Sequence, residues 1–505
     1  MPVRRMPARV DAELPTGLPV GPGWQDPAGT APVLDAWTGK HLRDVPEGTP
    51  VLAAEAMAHA EELRAAARRT TSATRKRLVR SCADALRERR AELEDLLVLE
   101  TGKPRRDCRV EVERTLSCWE ASAEEVGRNE GELVPVDLQS GGEDMLAWYK
   151  RRPLGSVVAI AGFNYPLLLA SHKVAPALAV GTPAVLKPAP ATALSALWLT
   201  AVVREALRTE GLDEGLLQCL TGGPEVGRAL VEDERAAIVS FTGSAEVGHR
   251  IARSAAPRRT VLELGSNAAL IVSGSADVEE AVAAVTRGAF YANGQACISV
   301  QRVLVLDGVD PGFERKLADA LDGVVVGDPW EMTTDVSALI DERAAARVRK
   351  SVEDARERGA RVLGEAPVPE GGVPAGTERA LVSPQLLADV PEDEPLWREE
   401  VFAPVACVRR VRDLDEAVRL VNDSRYGLQA AIYTADLAEA HRAVDALEVG
   451  GVVVNQIPGF RSDVMPYGGV KDSGVGREGP RWAMEEYTVT RMALVRIPQR
   501  KGERS

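Results

Sequence analysis

The chain has 505 residues, too long for one hydrophobic core, so two or three domains are expected. Its 45% hydrophobic and 27% charged residues are those of an ordinary globular protein. A formal net charge of −13 argues against nucleic acid or an anionic membrane surface as the main partner. The six cysteines (82, 108, 118, 219, 297 and 407) include no CxxC pair, and there are five histidines, so no metal site is expected. MPVRRMPARV at the start is basic, but no apolar run follows it as a signal peptide would require. The most apolar stretch, Leu154 to Leu186, is interrupted by Asn164, His172 and Lys173, so it is not a membrane span. The expected location is the cytoplasm.

In chain order, residues 1–45 are rich in Pro and Gly and predict an irregular N-terminal arm. From Ala53 to about Glu130 apolar residues recur three and four apart, as in Leu86, Leu93, Leu96 and Leu97, which predicts helices. Pro104 interrupts them, and Gly102 suits a helix end. Residues 132–152 read as two strands around Gly141-Gly142. Short strands then alternate with helices: strands at Gly155–Ala161, Pro183–Leu186, Leu216–Leu220 and Ala237–Phe241, helices near 166–179, across 193–208 and from 224. Such alternation predicts a parallel sheet covered by helices on both faces. A second alternating block runs from Thr260 to about 455, with strands at 261–264, 269–272, 301–306 and 451–454. Two α/β domains with a crevice between them follow, and a crevice of that kind is where a cofactor and substrate would meet.

Gly474-Val-Gly476-Arg-Glu-Gly479 matches the dinucleotide pattern G-x-G-x-x-G, but Pro466-Tyr-Gly-Gly-Val-Lys-Asp-Ser precedes it instead of a strand, so a tight Gly-rich loop is expected. Cys297 differs from the other thiols in its surroundings, Asn293-Gly-Gln-Ala-Cys-Ile-Ser299. Small and polar neighbours allow backbone N–H groups close to sulfur, which favours a reactive thiolate, although a buried core thiol is the alternative.

Other short segments accompany it: Phe163-Asn164-Tyr-Pro166, Leu186-Lys187-Pro-Ala189, Phe241-Thr-Gly-Ser244, Leu262-Glu263-Leu-Gly265, Gly294-Gln-Ala-Cys297, Glu400-Val-Phe402-Ala-Pro404 and Pro466-Tyr-Gly-Gly469. Each is weak alone. In this order and at these distances, from about residue 50 to 495, they resemble the aldehyde dehydrogenase superfamily. The resemblance implies a fold with two doubly wound α/β domains plus a small β oligomerisation element. It divides the chain into the arm at 1–45, a cofactor-binding domain at 46–131 and 153–264, a catalytic domain at 265–465, and the oligomerisation element at 132–152 and 480–500. A homodimer or homotetramer is implied, because exposed strand edges of this kind are covered by a partner.

The resemblance also implies roles. Cys297 attacks the aldehyde carbon to give a thiohemiacetal. Asn164 donates a side-chain N–H to the oxyanion, beside the Cys297 backbone N–H. After hydride passes to NAD or NADP, Glu263 activates the water that hydrolyses the thioester. Lys187 binds the adenosine ribose, and Gly243 and Ser244 open a helix whose N-terminus faces the pyrophosphate. Glu400 holds the nicotinamide ribose, with Phe163 and Phe402 lining the nicotinamide crevice.

Three positions depart from the common pattern: Ser266 and Ala403 replace glycines, and Pro190 stands where many NAD-preferring members carry a Glu for the ribose 2′-hydroxyl. Glu263-Leu-Gly-Ser-Asn267, Cys297-Ile-Ser-Val-Gln-Arg302 and Ser171-His-Lys-Val174 look most like the lactaldehyde and phosphonoacetaldehyde dehydrogenase-like branch. Two readings of Arg114 and Arg461 stand open: they meet an anionic aldehyde, or they are solvated or spent in internal ion pairs. Two rival functions are a CoA-acylating dehydrogenase, against which Glu263 argues, and a homologue without activity, against which the Cys297, Glu263 and Asn164 set argues.

Overall fold

The computed structural model describes residues 5–128, 131–368, 373 and 376–497. Helices Pro50–Arg69, Ser72–Glu88, Arg90–Thr101 and Arg105–Glu125 follow one another. The first two are capped by Thr49 and Thr71, whose side chains accept from the amides of Leu52 and Thr74. Gly102 ends the third at φ 67°, the left-handed conformation that a Cβ would oppose.

In chain order, the first five core strands are β1 (Ser156–Ile160), β2 (Ala184–Lys187), β3 (Leu217–Cys219), β4 (Ala236–Thr242) and β5 (Arg259–Glu263). Then come β6 (Ala269–Val272), β7 (Arg302–Leu306), β8 (Arg361–Glu365), β9 (Gln385–Ala388), β10 (Val405–Val411), β11 (Gln429–Tyr433), β12 (Gly451–Val454) and β13 (Gly474–Val475). One sheet has the order β13-β5-β4-β1-β2-β3 and the other β8-β9-β10-β7-β6-β11-β12. All pairings are parallel except β5 with β13 and β8 with β9.

Side-chain alternation decides how the first sheet is buried. Val157 and Ala159 enter one core with the helices of 72–125, while Val158 enters a second core with Ala56, Met57 and Val226. Ala184 and Leu186 on β2 join the first core and Val185 the second. Both faces are dry, so the strands read as continuous apolar runs.

Strand order reverses between β1 and β4. The loops leaving their carboxyl ends therefore diverge and leave a crevice at that switch point.

Three expectations are corrected. Residues 1–45 are not irregular: they hold a helix at Ala8–Glu13, the paired strands Leu18–Val20 and Gly23–Gln25, and Thr30–Leu34 paired with His41–Pro46; residues 1–4 lie outside the described part. Residues 132–152 hold one full strand of the expected two: the 132–134 arm meets it only at an antiparallel bridge between Leu133 and Trp148, Val136–Leu138 is a 3₁₀ turn, and the full-length antiparallel partner of Met145–Pro153 is Thr488–Arg496. Residues 498–500 of the segment expected at 480–500 also lie outside. The strand expected at 261–264 belongs to the first sheet as β5, not to the second block.

Candidate active site

The loops leaving β1, β4 and β5 meet those that enter β6, β7 and β10, and between them lies a cavity of about 760 Å³. Phe163, Asn164, Gly243, Ser244, Glu263, Cys297, Glu400, Phe402, Arg114 and Arg461 all line it. Lys187 is the one expected site residue outside that lining.

Asn164 precedes helix Pro166–Val180. The first turn of that helix is anchored by the buried Glu111 carboxylate, which accepts from the amides of Leu167 and Leu168 at 3.0 and 3.2 Å and pairs with Lys103. Its side-chain amide donates to the Gln295 carbonyl at 2.9 Å, which fixes its orientation and leaves its second N–H for another acceptor.

The Cys297 loop is strained and tied down. Ala292, Asn293 and Gly294 take successive left-handed conformations at φ 50°, 59° and 66°. Asp107, on helix Arg105–Glu125, accepts from the Ala292 amide at 2.9 Å. Asn293 donates to the carbonyls of Gly102 and Ala338 at 3.2 and 2.8 Å and accepts from the Ser337 amide at 2.8 Å. Burial pushes the Cys297 thiol up to about 11, opposed by a hydrogen bond with the Tyr467 hydroxyl at 3.1 Å.

Glu263 ends β5 with its side chain 4% exposed, and neither carboxylate oxygen has a hydrogen-bond partner among the described residues. Burial, reinforced by the neighbouring Glu478, raises its pKa well above the ordinary carboxylate range. Burial also raises Glu478, but Lys173, His172 and Arg461 overcome it and hold that group ionised. Lys173 reaches both Glu478 and the Thr242 hydroxyl at 2.7 Å.

Ser244 caps helix Ala245–Ala255 by accepting from the Val247 amide at 3.5 Å, so that helix begins at the cavity wall. Glu400 is held by the Ser266 amide at 3.0 Å, and burial pushes its pKa up to about 7. Phe163 and Phe402 meet edge to face, with ring centroids 5.8 Å apart and Phe402 itself at φ 55°. Lys187 ends β2 with its ammonium donating to the Pro188 carbonyl at 3.1 Å, and burial lowers its pKa. Helix Pro224–Glu232 packs on its stem, where a Cβ on Gly227 would lie 3.4 Å away.

The two arginines are engaged internally. Arg114 forms a two-pronged pair with Asp463, at 3.0 and 2.9 Å, and Asp463 also accepts from His172 at 2.9 Å. Arg461 lies 3.6 Å over the Tyr467 ring centroid and 3.5 Å from Glu478, and its buried Nε is 3.9 Å from Asp463 with no hydrogen-bond partner among the described residues. Arg114, Tyr165, Tyr291, Gly459 and Arg461 also line a second cavity of about 960 Å³, which reaches the surface beside Phe460 and Val110. Asp107, Asn293, Lys173, His172, Asp463, Tyr467 and Glu478 were given no role in the sequence reading: all but Asp107 and Asp463 stood inside quoted segments, but their partners lie far away in the chain.

Among the described residues, no helix is long and apolar enough to cross a membrane, and no group of three or more His, Cys, Asp or Glu is placed to hold a metal ion.

The sequence profile of the aldehyde dehydrogenase family matches residues 24–493. The 3-sulfolactaldehyde dehydrogenase of Priestia aryabhattai is 39% identical over 483 residues, which cover 95% of this chain and 98% of that one. Among solved structures, aldehyde dehydrogenase 21 of Physcomitrella patens, in complex with the reaction product succinate, is similar with a TM-score of 0.89 at 32% identity, covering 95% of this chain and 98% of that one. The glyceraldehyde-3-phosphate dehydrogenase of Methanocaldococcus jannaschii, complexed with NADP, gives a TM-score of 0.87 at 33% identity, covering 93% of this chain and 100% of that one. The chain belongs to the aldehyde dehydrogenase family. It is therefore an oxidoreductase that acts on aldehydes.

Proposed function

We propose that this enzyme oxidises a small anionic aldehyde to the carboxylic acid with NAD or NADP, using Cys297 as nucleophile and Glu263 as general base. One observation carries the reading: a buried carboxylate without a hydrogen-bond partner among the described residues and a half-buried thiol line the same cavity. The cofactor fits the residues present. Gly243 and Ser244 stand at a helix N-terminus suited to a pyrophosphate, Glu400 has an acceptor for a ribose, Phe163 and Phe402 make an aromatic wall, and Lys187 lies at the end of the adjacent strand.

Cys297 Sγ adds to the aldehyde carbon, and the carbonyl electrons move onto oxygen. The free Asn164 N–H and the Cys297 backbone N–H stabilise that charge. NAD(P)⁺, held by Gly243, Ser244, Glu400 and the Phe163–Phe402 wall, would supply the hydride acceptor needed to take the thiohemiacetal on Cys297 to a thioester. Glu263 takes a proton from water as the water oxygen attacks the thioester, and Sγ leaves as thiolate. In this reading 46–131 and 153–264 bind cofactor, 265–465 supplies the nucleophile, and 132–152 with 480–500 covers a partner subunit in a homodimer or homotetramer. The exposed Leu146, Met492 and Leu494 on the paired strands support that last assignment.

The substrate charge follows from the wall beyond Cys297. Arg114, Arg461 and Lys173 face two carboxylates held ionised, Asp463 and Glu478, which leaves one positive charge in excess while Glu263 is protonated. The buried Arg461 Nε is the donor left to meet an anionic group. The similar enzymes named above, one acting on 3-sulfolactaldehyde and one holding succinate, point the same way.

The test is a panel of charged and neutral aldehydes with NAD and NADP, with and without CoA, and with identification of the product. Anionic aldehydes should exceed neutral analogues of equal size by about tenfold in kcat/KM, the worth of one charged hydrogen bond, and the product should be the free acid. A neutral preference overturns the substrate class, and an acyl-CoA product overturns hydrolysis. Cys297→Ser should abolish oxidation while cofactor still binds; more than a few per cent residual rate overturns the nucleophile.

A further inference from the structure

Tyr467 stands in a loop to which the mechanism above assigns nothing. Its side chain is 3% exposed, and its hydroxyl lies 3.1 Å from Cys297 Sγ. The backbone around it is fixed: the Tyr467 amide donates to the Glu478 carbonyl at 3.0 Å, and the Glu478 amide donates back at 2.7 Å. Its ring packs with Ile298 and Leu428, and the Arg461 guanidinium covers one face. The hydroxyl is therefore held in place before any substrate arrives.

A thiolate has lone pairs and no proton, so once Cys297 ionises the Tyr467 O–H is the donor in this contact. A cation over the ring face withdraws electron density and strengthens that donor. The other titratable or charged groups around Sγ are Glu263, Glu400, Arg461 and Tyr291. Both carboxylates oppose ionisation of the thiol, so within this set Tyr467 and Arg461 favour it.

We propose that Tyr467 is a catalytic residue whose hydroxyl donates a hydrogen bond to the Cys297 thiolate and sets how much thiolate the resting enzyme holds. The proposal rests on Cys297 being the nucleophile. Its size is bounded from both sides. A hydrogen bond to a charged group is worth roughly tenfold or more in the ionisation equilibrium. Nucleophilicity falls as a thiolate is stabilised, with a Brønsted coefficient of about 0.4–0.5, which returns about threefold. The net gain in neutral solution is then about threefold, and the advantage reverses where the thiol is fully ionised.

The experiment is Tyr467→Phe, which keeps the ring and removes the donor. Thiolate absorbance should titrate about one pH unit higher than in the wild type, and iodoacetamide should modify Cys297 about threefold more slowly at neutral pH, with peptide mapping to separate it from the other thiols. A ring filling space alone would not move that titration. A second replacement, by a fluorotyrosine of nearly equal shape, strengthens the donor and should move the titration down. A thiolate titration unmoved in both proteins overturns the proposal. Neither reading needs aldehyde or cofactor, so an active Cys297→Ser enzyme would remove the nucleophile assignment and leave the Tyr467 result separately legible.

Discussion

Arg114 and Asp463, 349 residues apart, share a two-pronged ion pair at 3.0 and 2.9 Å that ties helix Arg105–Glu125 to the 459–467 loop on the cavity wall. Burial raises the Asp463 pKa, but His172 and Arg114 overcome it and hold the carboxyl well below its usual range. Its contribution to stability is then present above the ordinary carboxylate pKa and lost as pH falls toward the folded value. Asp463→Asn should cost about 3 kcal/mol, since the half-buried Arg114 is left without its counter-charge. Urea unfolding measured across acid pH checks both statements, and an unchanged acid limb in the variant would refute the linkage.

Glu263→Gln should halt the reaction after hydride transfer. Rapid mixing would show about one equivalent of reduced cofactor per active site, then little more. In the wild type the base acts only when deprotonated, and its folded pKa is raised. Breakdown of the thioester should therefore slow as pH is lowered through that raised value, while the first turnover is less affected. Unimpaired steady-state turnover in the Gln variant would show that another group activates water.

Asn164→Ala removes the side-chain donor beside Cys297 and should lower the single-turnover rate about 100- to 1,000-fold. Alkylation of Cys297 without aldehyde should stay within severalfold of wild type, because the loop keeps its anchors at Asp107 and Asn293. Equal losses in alkylation and turnover would mean that Asn164 shapes the loop and not the oxyanion.

Pro190 opens an exposed 3₁₀ turn, Pro190–Thr192, three residues after Lys187. No carboxylate at 190 is available to bind a ribose 2′-hydroxyl or to repel a 2′-phosphate. Both cofactors should be used, and Pro190→Glu should move the NADP/NAD ratio of kcat/KM toward NAD by more than about tenfold. Exclusive use of NAD by the wild type would contradict this reading.

The helices of 50–125 and most strands were legible because local chemistry specifies them: Gly102 ends a helix where only the left-handed conformation closes it, and the apolar runs at 157–160 and 184–186 have no polar face. Partner choice was not. Met145–Pro153 has the composition of a strand, but its full-length mate lies at 488–496, and the local one across Gly141-Gly142 is reduced to a bridge between Leu133 and Trp148. The short strands at 18–25 and 30–46 are interrupted by Pro and Gly and hide in loop-like composition. Cys297, Asn164 and Glu263 stood in recognisable segments. The ion pairs that occupy Arg114 and Arg461 depend on Asp463 and Glu478, whose proximity only the folded chain creates.

Gly294 has one more consequence. A Cβ there would fall 2.2 Å from the carbonyl carbon and oxygen of Ala403, so the backbone carrying the thiol rests directly on the backbone carrying Phe402. No side chain separates them, and none can be inserted. That seam leaves evolution no single-residue route for adjusting the thiol against the aromatic wall. Adjustment to a different substrate would fall instead to side chains away from the seam, such as Arg461 on the 459–467 loop.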